Sequence, residues 1–262
     1  MDKLTFENGS YHTGPVRISL MAKVLTSLTF YYRLVSIVVR GSAQAKREPY
    51  GTPEWCRDSL YTLRGLEEVG VKIEITGIEG FTSFDGPCVF IGNHMSTLET
   101  FILPTIIAPL KDTTFVVKQS LVDYPVFKHI MRSRNPITVG RTNPREDLKA
   151  VLEGGAEKLK SGMSVIIFPQ TTRTNVFDPA TFNTIGIKLA KKAGVPVIPI
   201  ALKTNAWGSG LLLKDYGKID PSKQVHFAFG KPLWIRDRGT EEHAAIIEFI
   251  TGKLKEWNAE VA

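Results

Sequence analysis

Residues 88–99 read CVFIGNHMSTLE. The apolar run 88–91 has the length and composition of a short buried strand. Gly92 closes it. Ser96-Thr97-Leu98-Glu99 then has the form of a capping box, and a helical stretch runs on to about residue 109. A strand that passes through a short polar turn into a helix is the repeating step of an α/β fold.

The same step recurs on either side. Further strands are expected at 71–75, 114–117, 137–139, 165–168, 195–202 and 225–229, with helices near 121–132, 145–160, 181–193 and 241–257. Short runs such as Val165-Ile166-Ile167-Phe168 are apolar throughout, as central strands covered on both faces must be. The alternation predicts an α/β sheet with helices on both faces over residues 71–262. Pro196 and Pro199 in the run VPVIPI imply an edge or irregular strand, since neither can donate to a ladder.

Residues 16–40, VRISLMAKVLTSLTFYYRLVSIVVR, differ in kind. Lys23 and Arg33 interrupt the apolar run, so a clean spanning helix is not expected. No small-residue cleavage site follows, which argues against a signal peptide. Lys23, Thr26, Thr29, Arg33, Ser36 and Arg40 recur at helical spacing, opposite Met21, Leu25, Leu28, Tyr31, Tyr32, Val35 and Val38. Such a face suits either the membrane interface or the protein's own core. The stretch 41–51 reads as a connector. A second helix should follow, with Thr52 as N-cap, Pro53 in the first turn and Gly70 as stop. Residues 1–70 are thus expected to form a membrane-associating helical hairpin ahead of the α/β domain.

Of the 262 residues, 43% are hydrophobic and 23% charged, a balance that supports a packed core. Two distant cysteines, Cys56 and Cys88, rule out a disulfide scaffold and fit a reducing compartment. Lys and Arg number 33 against 26 acids, leaving +7, and the excess lies in residues 101–200. An acidic partner is implied: nucleic acid, an anionic membrane or a phosphorylated small molecule. Lys128, Arg132, Arg134, Arg141 and Arg145 cluster without an acid between them, as a solvated face also would. Few aromatics interleave with them, which disfavours nucleic acid. The sequence has no P-loop, GxGxxG or GxSxG motif.

Chemistry is expected beyond the carboxyl ends of the strands. His94 lies there. Its imidazole could take a proton from a hydroxyl if a carboxylate held its other nitrogen. Glu99 could supply that carboxylate, or could serve only to cap the helix. Phe168-Pro169-Gln170-Thr171-Thr172-Arg173-Thr174 brings hydroxyls, an amide and a guanidinium to another strand end. That set suits phosphate, although the threonines could equally order their own loop. Ile137-Thr138-Val139-Gly140-Arg141 is a short strand ending in Arg.

Together the four motifs resemble the glycerolipid acyltransferase family, which contains the lysophosphatidic acid acyltransferases (1-acyl-sn-glycerol-3-phosphate acyltransferases). That family carries NHx4D, an Arg after a short strand, FPEGTRS and VPVxPV, in that order. This sequence has NHMSTLE, ITVGR, FPQTTRT and VPVIPI in the same order, over roughly residues 70–230. The resemblance implies a mixed, mostly parallel sheet flanked by helices. It implies transfer of an acyl group from acyl-CoA or acyl carrier protein to a lysophospholipid hydroxyl, most simply that of 1-acyl-glycerol-3-phosphate. His94 would be the base and Glu99 its orienting partner. Asn93, Lys118 (in KQSL), Arg141, Gln170, Thr171, Thr172 and Arg173 would bind substrate. No metal or other cofactor would be needed. The implied partners are membrane lipids and the acyl donor, not nucleic acid, and the implied location is the cytoplasmic face of a membrane. Glu at 99, Gln at 170 and Thr at 171 depart from the family's Asp, Glu and Gly. These departures leave the acceptor open, and they admit a second expectation: a lipid-binding or scaffold protein of the same fold without turnover.

Overall fold

The computed structural model describes residues 3–125, 127–170, 172–210 and 214–262. In chain order the elements begin with β1 (Tyr11–His12), α1 (Leu20–Val24), α2 (Thr26–Arg47), α3 (Thr52–Glu68), β2 (Ile73–Thr76), α4 (Glu79–Thr82), β3 (Val89–Gly92), α5 (Leu98–Ile107) and β4 (Thr113–Lys118). They continue with α6 (Gln119–Val122), α7 (Lys128–Ser133), β5 (Ile137–Val139), α8 (Pro144–Lys160), β6 (Ser164–Ile167), α9 (Ile185–Ala193), β7 (Val197–Lys203), β8 (Val225–Phe229) and α10 (Thr240–Glu256).

Among the described residues eight strands form one sheet in the order β1-β2-β8-β7-β3-β6-β4-β5. The strands from β7 to β5 are parallel to their neighbours, whereas β8 runs antiparallel to β7 and β1 antiparallel to β2. The sheet is therefore mixed and mostly parallel. Alternate residues of the central strands feed two cores. Phe90, Ile166, Ile198 and Ile200 pack with α2, α3 and α5 through Phe30, Leu63, Leu66 and Ile102. Val89, Ile91, Val165 and Ile167 face the other side, toward Val151, Leu189 and Ile250 of α8, α9 and α10. With both faces covered, the strands must be apolar throughout, as their sequences are.

Several expectations need correction. The strand β1 was not expected. The prolines do not place their strand at an edge, because β7 lies between β3 and β8. The Pro199 carbonyl accepts from Gly230 N–H at 2.9 Å, just past the end of β8. The ring nitrogen faces the same side, where the β8 ladder no longer requires a donor. The expected helix over 121–132 divides into α6 and α7, with Pro125 between them. A proline disfavours helical geometry in the residue before it.

The N-terminal stretch also differs. A break at Leu25, outside helical geometry, separates α1 from α2. Helix α2 runs past Gly41 to Arg47, so 41–51 is not all connector. Gly41 is a packing contact: a Cβ there would lie 2.6 Å from Asp58 Oδ2 and 3.2 Å from Ile130 Cδ1. Gly51, not Thr52, is the N-cap of α3, and its N–H donates to Glu54 Oε2 at 2.8 Å. Arg33 and Arg40 reach sideways to ion-pair with Glu68 and Asp58 of α3 while staying partly exposed. Helix α2 is apolar on two sides. Phe30, Leu34, Ile37 and Val38 are buried, while Leu28, Tyr32, Val35 and Val39 form an exposed stripe, with Leu20, Met21 and Val24 of α1 also exposed.

Candidate active site

The parallel strands β7, β3, β6, β4 and β5 end on one rim of the sheet, which carries all the motif residues. Strand β3 is central. After Gly92 the main chain leaves the ladder, and the Asn93 side chain takes over. Its Nδ2 donates to Leu202 O at 2.8 Å, and Leu202 N–H donates to its Oδ1 at 2.8 Å. Asn93 is buried, and both ends of its amide are occupied by β7 backbone. The sequence reading assigned it to substrate, yet here it shapes the turn that presents His94.

The His94 backbone is clamped by the loop after β6. His94 N–H donates to Gln170 Oε1 at 2.7 Å, and Thr174 N–H donates to His94 O at 3.0 Å. The imidazole stacks on Phe168, with centroids 4.5 Å apart and planes 5° from parallel. Its Nδ1 lies 2.8 Å from Glu99 Oε1. The carboxylate can only accept from that nitrogen, so Nδ1 carries the proton. In the neutral ring Nε2 then holds the free lone pair, as a general base requires.

Glu99 is fully buried in the first turn of α5. Its Oε1 also accepts from Met95 N–H at 2.7 Å and Ser96 N–H at 3.0 Å. Its Oε2 accepts from Thr204 Oγ1 at 2.6 Å. The two readings of Glu99 are therefore met by one carboxylate, which receives N–H groups at the head of α5 and also holds the His94 ring. Burial pushes the carboxyl pKa upward. The His94 ring, the Thr204 hydroxyl and the backbone N–H groups outweigh it, and the net shift is below the ordinary carboxylate value. Ser96 adds a second tie, donating to Thr204 O at 2.9 Å and accepting from Leu98 N–H at 3.1 Å.

Arg173 reaches the start of α5. Its Nη1 donates to Thr97 Oγ1, and its Nη2 is paired with Asp215 Oδ1. His94, Glu99, Gln170 and Arg173 are thus brought together. Gln170 is buried and spends its carbonyl oxygen on His94 N–H; Thr172 is exposed; Thr171 lies outside the described residues. Lys118 ends β4 and Arg141 follows β5, both exposed and farther along the rim. At about 4.8 Å per strand, β5 stands roughly 14 Å from β3. Arg141 adopts a left-handed φ of 60°, and the N–H groups of Gly140 and Arg141 both donate to Asp147, at 2.8 and 2.9 Å.

Sequence reasoning missed Thr204, Phe168 as a stacking partner, and Asp215. Thr204 directly follows β7, the strand beside β3, so its place at a strand end was the available signal. Asp215 lies in the long segment between β7 and β8 and had none.

Comparison with known proteins adds to this geometry. The sequence model of the family described as Acyltransferase matches residues 72–203. A 1-acyl-sn-glycerol-3-phosphate acyltransferase of Pseudomonas aeruginosa is 32% identical over 187 residues, which cover 71% of this chain and 70% of that protein. The chloroplastic 1-acyl-sn-glycerol-3-phosphate acyltransferase BAT2 of Brassica napus is 33% identical over 148 residues, 56% of this chain but only 40% of that longer protein. The crystal structure of the 1-acyl-sn-glycerophosphate (LPA) acyltransferase PlsC from Thermotoga maritima is similar in fold. Its TM-score is 0.65 at 19% identity, over 92% of this chain and 98% of that one.

Proposed function

The chain belongs to the acyltransferase family, and from that membership we propose that it acylates the free hydroxyl of a lysophospholipid in phospholipid synthesis. The acceptor proposed is 1-acyl-glycerol-3-phosphate, and the donor is the thioester of acyl-CoA or acyl carrier protein. The observation that carries this reading is the His94 Nδ1–Glu99 Oε1 contact of 2.8 Å at the carboxyl rim of the sheet.

Through Nε2, His94 takes the proton of the acceptor hydroxyl as its oxygen attacks the thioester carbonyl carbon. Glu99, ionised and buried beside it, stabilises the imidazolium that forms. The tetrahedral intermediate collapses by breaking the C–S bond. The thiolate leaves with the proton that His94 held, so the base is regenerated. Arg173, on the same rim, is the cation proposed to hold the acceptor's phosphate, with Arg141 and Lys118 farther out. The exposed stripe Leu28, Tyr32, Val35 and Val39, with α1, supports seating on a bilayer surface through an apolar helix face, and the surface proposed is the cytoplasmic one. No helix among the described residues is long and apolar enough to cross a membrane.

The test is a panel of lysophospholipid acceptors with one acyl-CoA, following thiol release and weighing the product. With 1-acyl-glycerol-3-phosphate the wild type should release thiol. His94→Ala should lower kcat about 10²–10⁴-fold while leaving vesicle binding unchanged. If no lysophospholipid elicits thiol release from the wild type, the transfer reading fails.

A further inference from the structure

The Arg173 guanidinium is already engaged by an anion of the protein itself. Its Nη2 is ion-paired with Asp215 Oδ1, and Thr97, to which its Nη1 donates, lies 3.4 Å from that same Oδ1. The backbone around Asp215 is fastened in place. The buried Trp207 indole N–H donates to the Asp215 carbonyl at 2.9 Å. Trp207 packs edge-on against Phe30 of α2, with centroids 5.0 Å apart, and stacks with Phe101 of α5 at 5.6 Å. The Tyr31 hydroxyl donates to Gly217 O, and Ile219 N–H donates to Ser27 Oγ at 3.0 Å. Helix α2 and Trp207 therefore hold this carboxylate at the guanidinium.

We propose that Asp215 is a specificity-determining residue for the acyl acceptor: its carboxylate occupies the guanidinium position that the acceptor's phosphate takes, so that a phosphate-bearing acceptor binds by displacing it. The proposal rests on the reading above that Arg173 holds that phosphate. Carboxylate and phosphate oxygens make the same charge-assisted contact with a guanidinium, so the two anions compete for one place. Apparent affinity falls by the fraction of molecules in which the arginine is available. The Asp215 side chain is 48% exposed, so water can receive it once displaced, and the competition is modest in size. Anything that binds without Arg173 is untouched by it. Asp215 thus sets how strongly the site favours phosphate-bearing acceptors.

The experiment compares wild type, Asp215→Asn, Asp215→Ala and Arg173→Ala, using 1-acyl-glycerol-3-phosphate as acceptor and inorganic phosphate as competing probe. Both Asp215 variants should lower the acceptor KM about two- to fivefold, the range expected of a half-exposed ion pair. The inhibition constant of phosphate should fall by the same factor, with kcat and the donor KM unchanged. An acceptor KM that is unchanged or raised in both Asp215 variants overturns the proposal. Arg173→Ala separates the two levels. If it raises the acceptor KM while the Asp215 variants do not lower it, only the role of Asp215 fails. If it leaves the acceptor KM unchanged, the phosphate reading of Arg173 fails first.

Discussion

A carboxylate with no contact to water must find its whole solvation inside the protein, and Glu99 finds it in four donors. They are two backbone N–H groups, the His94 ring and the Thr204 hydroxyl at 2.6 Å. Thr204 is the member whose removal tests the arrangement without touching the reacting atoms. A hydrogen bond to a buried charge contributes about 1.5–3 kcal/mol. Thr204→Val should leave Oε2 short of a donor and loosen the hold on Nδ1. The expected result is a kcat about ten- to a hundredfold lower at nearly constant acceptor KM, recovered in Thr204→Ser. Equal losses in kcat and KM in both variants would show a general disturbance of the rim instead. His94 and Glu99 were legible as a pair because they share one turn. Thr204 was not, because more than a hundred residues and a strand crossover separate it from Glu99, and only the β3–β7 pairing brings it near.

At the scale of elements, α2 and α3 show how a glycine can be misread. In sequence Gly41 stands at the end of an apolar stretch and reads as the start of a connector. In the structure it lies inside α2, where the absent side chain lets the helix approach the buried Asp58 of α3. Asp58 in turn holds Arg40 at 2.9 Å, Arg57 at 3.0 Å and the Tyr50 hydroxyl at 3.0 Å. Gly41→Val should drive α2 off this cluster and destabilise the protein by about 1–3 kcal/mol, the usual effect of overpacking. Thermal or urea denaturation reads this directly, and Gly252→Ala on α10, where a Cβ would meet nothing within 4 Å, is the control. Ala is the better helix former, so the control should be neutral or slightly stabilising. The division of 121–132 at Pro125 was available in sequence, because proline's effect on the preceding residue is local. The central place of β7 was not, because strand order depends on which chain segments meet.

For the whole molecule, the +7 charge is spread over different tasks. Arg132 pairs with Asp123 at 3.1 Å, and Arg134 is buried, with its guanidinium 4.6 Å above the Trp55 ring and Nη2 donating to Thr52 Oγ1 at 3.1 Å. Of these two members of the basic cluster Arg134 is committed to the fold, whereas the Arg132–Asp123 pair lies exposed on the surface and contributes little. The N-terminal helices likewise serve the core through Phe30 and Leu34, so deleting them would test folding rather than membrane binding. The sharper test keeps the buried face and replaces Leu28, Tyr32, Val35 and Val39 with Gln. The variant should retain its melting temperature and lose flotation with anionic vesicles. A variant that still floats would place the lipid contact elsewhere.

Patterns that need only near neighbours were readable in the chain. Strand–helix alternation, apolar central strands, the turn bearing His94 and Glu99, and the arginine after β6 all follow from short-range spacing and side-chain chemistry. Tertiary structure alone decided which distant groups converge. It set Thr204 on Glu99, Asp215 on Arg173, Phe168 against the His94 ring, and α2 with one apolar side in the core and another in solvent. The physical reason is common to these cases: each contact is fixed by strand order or helix packing, and a linear sequence carries no local signal for a neighbour that arrives from another part of the fold.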